Sequence, residues 1–156
     1  MKAMEMRRLT DGERALAVEM FGAAIRPEPV RLFAIPVWKR AFVAGPRLMV
    51  WPAISAWRDF SAAPLGLQAV FVHELTHVWQ AQNGVSLLLA KLRAGDSEGS
   101  YAYDAAGAAE FTRLNIEQQA MVVQHAFLAS RGARTPHPPE LYAQASPAWR
   151  PDARRR

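Results

Sequence analysis

The first apolar pattern along the chain is helical. From residue 11 to residue 25, apolar side chains recur every three or four positions, which is the spacing of one helix face. Thr10 and Glu13 have the spacing of a capping box, in which each side chain accepts a hydrogen bond from the other residue's backbone N–H. These patterns predict a helix over residues 11–25 that ends before Pro27.

Two short runs of β-branched, aliphatic and aromatic residues follow. They are "VRLFAI" at 30–35 and "RLMVW" at 47–51, and each is followed by a proline. Such runs favour strands. A loop with Gly45 and Pro46 separates them, so we expect the two strands to be neighbours in a small sheet.

Three further helices are predicted in the second half of the chain, at residues 67–82, 86–93 and 116–130. The first stops at Asn83-Gly84, a pair that commonly ends helices. The third begins after Asn115, a favourable capping residue. Between the second and third, the glycine-containing segment 94–109 is expected to be a loop.

The C-terminal end has a different composition. Five of the chain's 11 prolines fall between residues 136 and 151, and the last seven residues, "RPDARRR", include four arginines. Closely spaced prolines oppose helix and sheet hydrogen bonding. We therefore expect one domain over residues 1–132 and a Pro/Arg-rich tail over 133–156 that is irregular or disordered, and that wraps the domain if it is ordered.

Composition and charge narrow the chemistry. Hydrophobic residues make up 51% of the chain and charged residues 21%, as in ordinary globular proteins. The net charge is +5, but the basic residues are scattered and form no stripe with aromatic residues, which argues against nucleic-acid binding. The chain has no cysteine, so any metal site must use His, Asp and Glu.

The sequence also bears on membranes and export. No stretch approaches the roughly 18 apolar residues that span a bilayer, so no transmembrane segment is expected. Residues 1–21 carry charged side chains where a signal peptide would be apolar. A cytoplasmic location is the default expectation, and export by a dedicated secretion machine is the alternative.

The stretch "HELTHVWQ" at 73–80 carries the candidate chemistry. His73 and His77 are four residues apart on a predicted helix, so both imidazoles project from one face at a separation that suits one Zn²⁺. Glu74 lies about 100° round the helix from His73. There it can act on water as the general base of an H-E-x-x-H metalloprotease. The surrounding residues are apolar, and because unpaired buried polar groups are costly, a zinc site is favoured over a polar cluster in the core.

A third protein ligand is required. The metzincin pattern would place Gly at 80 and His at 83, but Gln80 and Asn83 stand there, which excludes that subclass. A carboxylate from another helix would instead give a His₂Glu site with one position open to water. Glu117, at the start of the last predicted helix, is favoured over Asp104 and Glu110, which lie where rigid placement of a ligand is harder.

Other polar side chains are candidates beside such a centre. Tyr101 and Tyr103 could donate to an oxyanion, or could pack a loop onto the body as ordinary aromatic residues. Gln80 could hydrogen-bond an imidazole or line the cleft, or could be a helix-surface amide. His125 is interpreted as a core or surface histidine and His137, among prolines, as a solvated one.

Together, "HELTHVWQAQNG" and "NIEQQAMVVQHAF" resemble the bacterial Vgr-related zincin-like family. This family is similar to the metallopeptidase-like core domain associated with extracellular contractile injection systems. With "LTDGERALAVEMFGAAI" and "VRLFAI", the resemblance spans about residues 9–130. It implies a compact α+β single domain with an HExxH active-site helix, a second, glutamate-bearing helix and a small β-sheet. It also implies zinc ligands at His73, His77 and Glu117, with Glu74 as the base.

Two functions from different classes follow. The first is a zinc metallopeptidase of the gluzincin type (HExxH plus Glu), acting on a peptide or protein substrate. The second is a zinc-stabilised, non-proteolytic assembly or adaptor module of a bacterial secretion or contractile injection system, with secretion-system components as partners. Glu74 favours the first, because a structural zinc is more often closed by four protein ligands.

Overall fold

The computed structural model describes residues 1–94 and 98–149. Within those ranges the chain forms four strands and six α-helices, separated by turns and short 3-10 segments. In chain order they are β1 (Met6–Arg8), α1 (Asp11–Phe21), β2 (Arg31–Ile35), β3 (Phe42–Val43), β4 (Leu48–Pro52), α2 (Leu65–Gln82), α3 (Leu87–Ala94), α4 (Ala105–Ala109), α5 (Ile116–Ser130) and α6 (Pro139–Ala145). The expected α+β class is confirmed.

The strands form one mixed sheet in the order β1-β2-β4-β3. The two predicted strands, β2 and β4, pair in parallel with Arg31 opposite Leu48, so the prediction that they are neighbours is confirmed. The outer strands β1 and β3 pair antiparallel to them. They are only three and two residues long, too short for an alternating pattern to predict them.

The predicted capping box at Thr10 and Glu13 is present at the start of α1. The helix is shorter than predicted, because the chain turns at Gly22, whose φ is +57°. Glu13 does more than cap the helix. It is fully buried and accepts hydrogen bonds from Arg7 Nη2 at 2.6 Å and Phe60 N at 2.9 Å, which ties α1 to β1 and to the segment before α2.

Helices α2 and α5 pack against each other at the centre of the molecule. Helix α2 is buried around most of its circumference; Phe71, Val72, Leu75 and Val78 are all inaccessible to solvent. This burial explains why apolar residues surround the polar side chains of α2. Each helix in the described part of the chain is too short or too polar to cross a membrane.

The expectation of an irregular C-terminal tail is wrong over residues 139–145, which form α6. Pro138 stands at the N-cap position of this helix and Pro139 is its first residue. Proline is tolerated at a helix start because the N–H it lacks would have no partner there. The Arg-rich end, residues 150–156, lies outside the described residues.

Trp149 anchors the chain beyond α6 in the core. Its side chain is 2% exposed, and its Nε1 donates a hydrogen bond of 2.7 Å to the Met20 carbonyl. Its ring lies 5.1 Å from that of Phe111, centroid to centroid. Tyr142, Ala145 and Trp149 therefore pack on the same core as the helices before them.

We expect Trp149→Ala to lower the free energy of unfolding by about 3–5 kcal/mol, because it removes a buried ring and leaves a cavity. The matched control is Trp38→Ala, since the Trp38 side chain is 53% exposed; this change should cost less than about 1 kcal/mol. Urea unfolding of both variants measures the difference. Equal small losses would contradict the burial of Trp149.

Candidate metal centre

Helices α2 and α5 bring three ligand-type side chains together. Glu117 Oε2 lies 3.4 Å from His73 Nε2 and 3.2 Å from His77 Nε2. The three residues are buried, and their ligand atoms lie within 4.8 Å of one another. Two imidazole nitrogens and one carboxylate oxygen are the donor set that zinc accepts in His₂Glu sites. Among the residues that the structure describes, this is the one such group of three.

Local structure explains how these atoms meet. His73 and His77 are one turn apart on α2, with ring centroids separated by 5.0 Å. Helix α5 begins with a capping box in which the Asn115 side chain accepts from Gln118 N at 2.9 Å. The cap sets the first turn of α5, and that turn holds Glu117 against α2.

A glutamine contacts each histidine on the side away from Glu117. His77 Nδ1 lies 2.8 Å from Gln80 Oε1, and His73 Nδ1 lies 3.1 Å from Gln124 Oε1. An amide oxygen only accepts hydrogen bonds, so each Nδ1 is the donor. The Nε2 atoms are therefore the ones that face the carboxylate and would bind a metal.

Further hydrogen bonds determine the orientation of the Gln80 amide. Gln80 Nε2 donates to the Ile116 carbonyl at 3.0 Å and to Gln119 Oε1 at 2.9 Å. Because the carbonyl cannot donate, the amide nitrogen must face α5 and the amide oxygen must face His77. Gln80 thus links the position of the His77 ring to the start of α5.

The charges of the cluster are coupled. Burial alone would raise the pKa of Glu117, but hydrogen bonds with His73 and His77 outweigh it and hold that pKa well below its usual range. Burial opposes protonation of His77, yet its hydrogen bond with Glu117 and the nearby Glu74 raise its pKa. A metal that binds here would therefore displace a proton from the cluster.

Glu74 has an unsatisfied oxygen beside this cluster. The residue is 7% exposed, and Oε2 has no hydrogen-bond partner among the described residues. Burial raises its pKa, although His77 and His73 oppose the shift. A buried polar atom without a protein partner calls for an ion or a bound water. The donor set and this orphaned oxygen both fit a zinc centre.

The competing carboxylates are engaged elsewhere. Asp104 caps α4 by accepting a hydrogen bond of 2.6 Å from Gly107 N, so part of the predicted loop 94–109 is a short helix. Glu110 is exposed and lies 2.6 Å from Arg113 Nη1. Neither carboxylate belongs to the cluster of His73, His77 and Glu117.

The two tyrosines differ in their relation to the cluster. The Tyr101 ring lies 6.5 Å from the His73 ring, centroid to centroid. Tyr103 instead contacts His125 Nδ1 through its hydroxyl, which also lies 3.1 Å from the Tyr142 hydroxyl. His137, expected to be solvated, is partly buried with its ring 5.5 Å from that of Tyr103. The structure therefore brings Tyr101, but not Tyr103, next to a metal-ligating candidate.

Sequence reasoning missed the roles of two residues near the cluster. Gln124 lies seven residues after Glu117, on the same face of α5, and that spacing could have indicated its contact with His73. Lys91 Nζ lies 3.8 Å from Glu117 Oε1. Lys91 belongs to a different helix, and no spacing in the sequence relates the two residues.

Comparison with known proteins identifies relatives. No protein-family model matches the chain. The chain is 34% identical over 134 residues to the type VI secretion system spike protein VgrG2b of Pseudomonas aeruginosa; the match covers 78% of this chain and 13% of that protein. The solved structure of the effector domain of P. aeruginosa VgrG2b is similar with a TM-score of 0.68 and 31% identity, over 92% of this chain and 81% of that one. The Vgr-related part of the resemblance is thus confirmed, and this chain belongs to the family of the VgrG2b effector domain.

Proposed function

We propose that this domain is a zinc-dependent peptidase with a zincin-like core of the gluzincin type. The observation that carries the proposal is Glu74, a buried carboxylate with an oxygen that no described residue satisfies, beside a His₂Glu cluster. A purely structural metal site has no need for such a group, whereas a hydrolase needs a base that can reach an attacking water.

The chain supplies three metal-binding atoms, His73 Nε2, His77 Nε2 and Glu117 Oε2. A zinc ion bound to them would supply Lewis acidity, polarising a peptide carbonyl and favouring deprotonation of water. Gln80 and Gln124 keep the imidazoles oriented for this task through the two Nδ1 atoms.

Glu74 performs the proton transfers. Its Oε2 accepts a proton from the water that attacks the peptide carbonyl and delivers that proton to the leaving amine, so the carboxylate is regenerated at the end of the cycle. Burial raises the pKa of Glu74, which makes it a stronger base than an exposed carboxylate. Tyr101, next to His73, is proposed to donate to the oxyanion.

The second candidate function is a zinc-stabilised assembly or adaptor module. It is favoured by one observation, that the relative is by name a spike protein of a type VI secretion system. Secretion-system components would then be its partners. Under either function, we propose that a secretion system exports the protein, in place of the cytoplasmic location that is the default expectation. The unsatisfied Glu74 oxygen is why we place the peptidase first.

Metal removal separates the two functions. We expect the protein loaded with one zinc per chain to cleave members of a peptide library, detected by mass spectrometry. A chelator should abolish cleavage and added Zn²⁺ should restore it, because the residues of the cluster cannot polarise the carbonyl alone. Zinc bound at one per chain without cleavage of any peptide would contradict the peptidase and favour the module; no zinc binding would contradict both.

A further inference from the structure

A cation reaches the candidate centre from a helix that carries no proposed ligand. Lys91, on α3, has its Nζ 3.8 Å from Glu117 Oε1. The other carboxylate oxygen, Oε2, is the one that faces His73 and His77. The two oxygens of Glu117 therefore have different partners: Oε2 faces the imidazoles, and Oε1 faces an ammonium group.

The orientation of α3 directs Lys91 towards the centre. Leu87 and Ala90 of this helix are partly buried, and Lys91 stands four positions after Leu87. A residue four positions on lies on the same helix face, so Lys91 shares the face that Leu87 turns to the body. Leu88 and Leu92, each 74% exposed, lie on the outer face.

The two members of the pair lie in contrasting surroundings. The Glu117 side chain is 4% exposed and that of Lys91 is 50% exposed. Lys91 is thus a cation at the exposed edge of the site that faces a buried carboxylate.

We propose that Lys91 is a positioning residue for Glu117. Its ammonium attracts Oε1, so that Oε2 is the carboxylate oxygen that would face a bound metal. Without it, the carboxylate could rotate and offer both oxygens. The inference rests on the proposed zinc centre but not on peptidase activity. Partners of ligand side chains commonly change metal affinity by about 10- to 100-fold when they are removed.

The test uses the full chain and metal alone. The variants are Lys91→Met, Lys91→Gln and Lys91→Arg, with Arg93→Met as the control because Arg93 is exposed on the same helix. Zinc affinity is measured by competition with a chromogenic chelator. The visible spectrum of the Co²⁺-substituted protein reports the geometry of the ligands. Circular dichroism of the metal-free variants checks that each one folds.

We expect Lys91→Met and Lys91→Gln to weaken zinc binding about 10-fold and to change the cobalt spectrum. Lys91→Arg should restore both, and Arg93→Met should match the wild type. Unchanged affinity and spectrum in the folded Lys91→Met and Lys91→Gln variants, or an equal loss in Arg93→Met, would overturn the inference. If the wild type binds zinc but cleaves no peptide, the inference about Lys91 stands and the peptidase proposal is contradicted. If the wild type binds no zinc, both are contradicted.

Discussion

Replacing Glu74 by Gln should lower kcat for peptide hydrolysis by about 100- to 10,000-fold while zinc stays at one per chain. Glutamine fills the same buried space, but its neutral amide cannot take a proton from water at neutral pH. Glu74 is not among the three clustered ligand-type residues, so the metal content should not change. The loss therefore isolates proton transfer from metal binding.

The measurement pairs metal analysis with the rate of cleavage of the best peptide from the library. The control is Glu140→Gln, because Glu140 is an exposed carboxylate in the first turn of α6 and should leave the rate unchanged. The free energy of unfolding of Glu74→Gln should not fall, because the change removes a charge from a buried position. A variant that kept more than about a tenth of the wild-type rate would rule out Glu74 as the base.

Replacing Glu117 by Ala should weaken zinc binding by more than about 100-fold, a larger effect than the loss of a residue that only supports a ligand. The substitution removes one of the three donor atoms and also the anion that offsets the charge of the ion. The two histidines would then have to hold zinc with water in place of the carboxylate. Competition with a chromogenic chelator measures the change.

Glu110→Ala is the matched control for the Glu117 experiment. Glu110 was a competing candidate for the third ligand, and in the structure it is exposed and paired with Arg113. Its removal should leave the zinc affinity at the wild-type value. If Glu117→Ala kept the wild-type zinc affinity, or if Glu110→Ala lost a comparable amount, the assignment of the third ligand to α5 would be contradicted.

The long helices could be predicted because their apolar periodicity and caps agree. Helix α5 spans the predicted residues 116–130, and α2 begins two residues before the predicted 67 and ends at 82 as expected. His73 and His77 could be paired from the sequence because four residues make one helical turn, whatever the rest of the fold does. Glu117 could be proposed because it starts a helix able to pack on α2.

Features that depend on tertiary packing could not be predicted in this way. Helix α6 was missed because its prolines were interpreted as breakers when they stand at a helix start. Gln124 contacts His73 only because α5 packs against α2. Lys91 lies close to Glu117 only because α3 packs against α5. Sequence spacing describes one element at a time, and these contacts join two.

One measurement tests the metal centre most directly: X-ray diffraction from zinc-soaked crystals, recorded on both sides of the zinc absorption edge. We expect a single anomalous peak about 2.0–2.2 Å from His73 Nε2, His77 Nε2 and Glu117 Oε2. The absence of a peak among these three side chains, or zinc bound at other residues while these three point apart, would contradict the account.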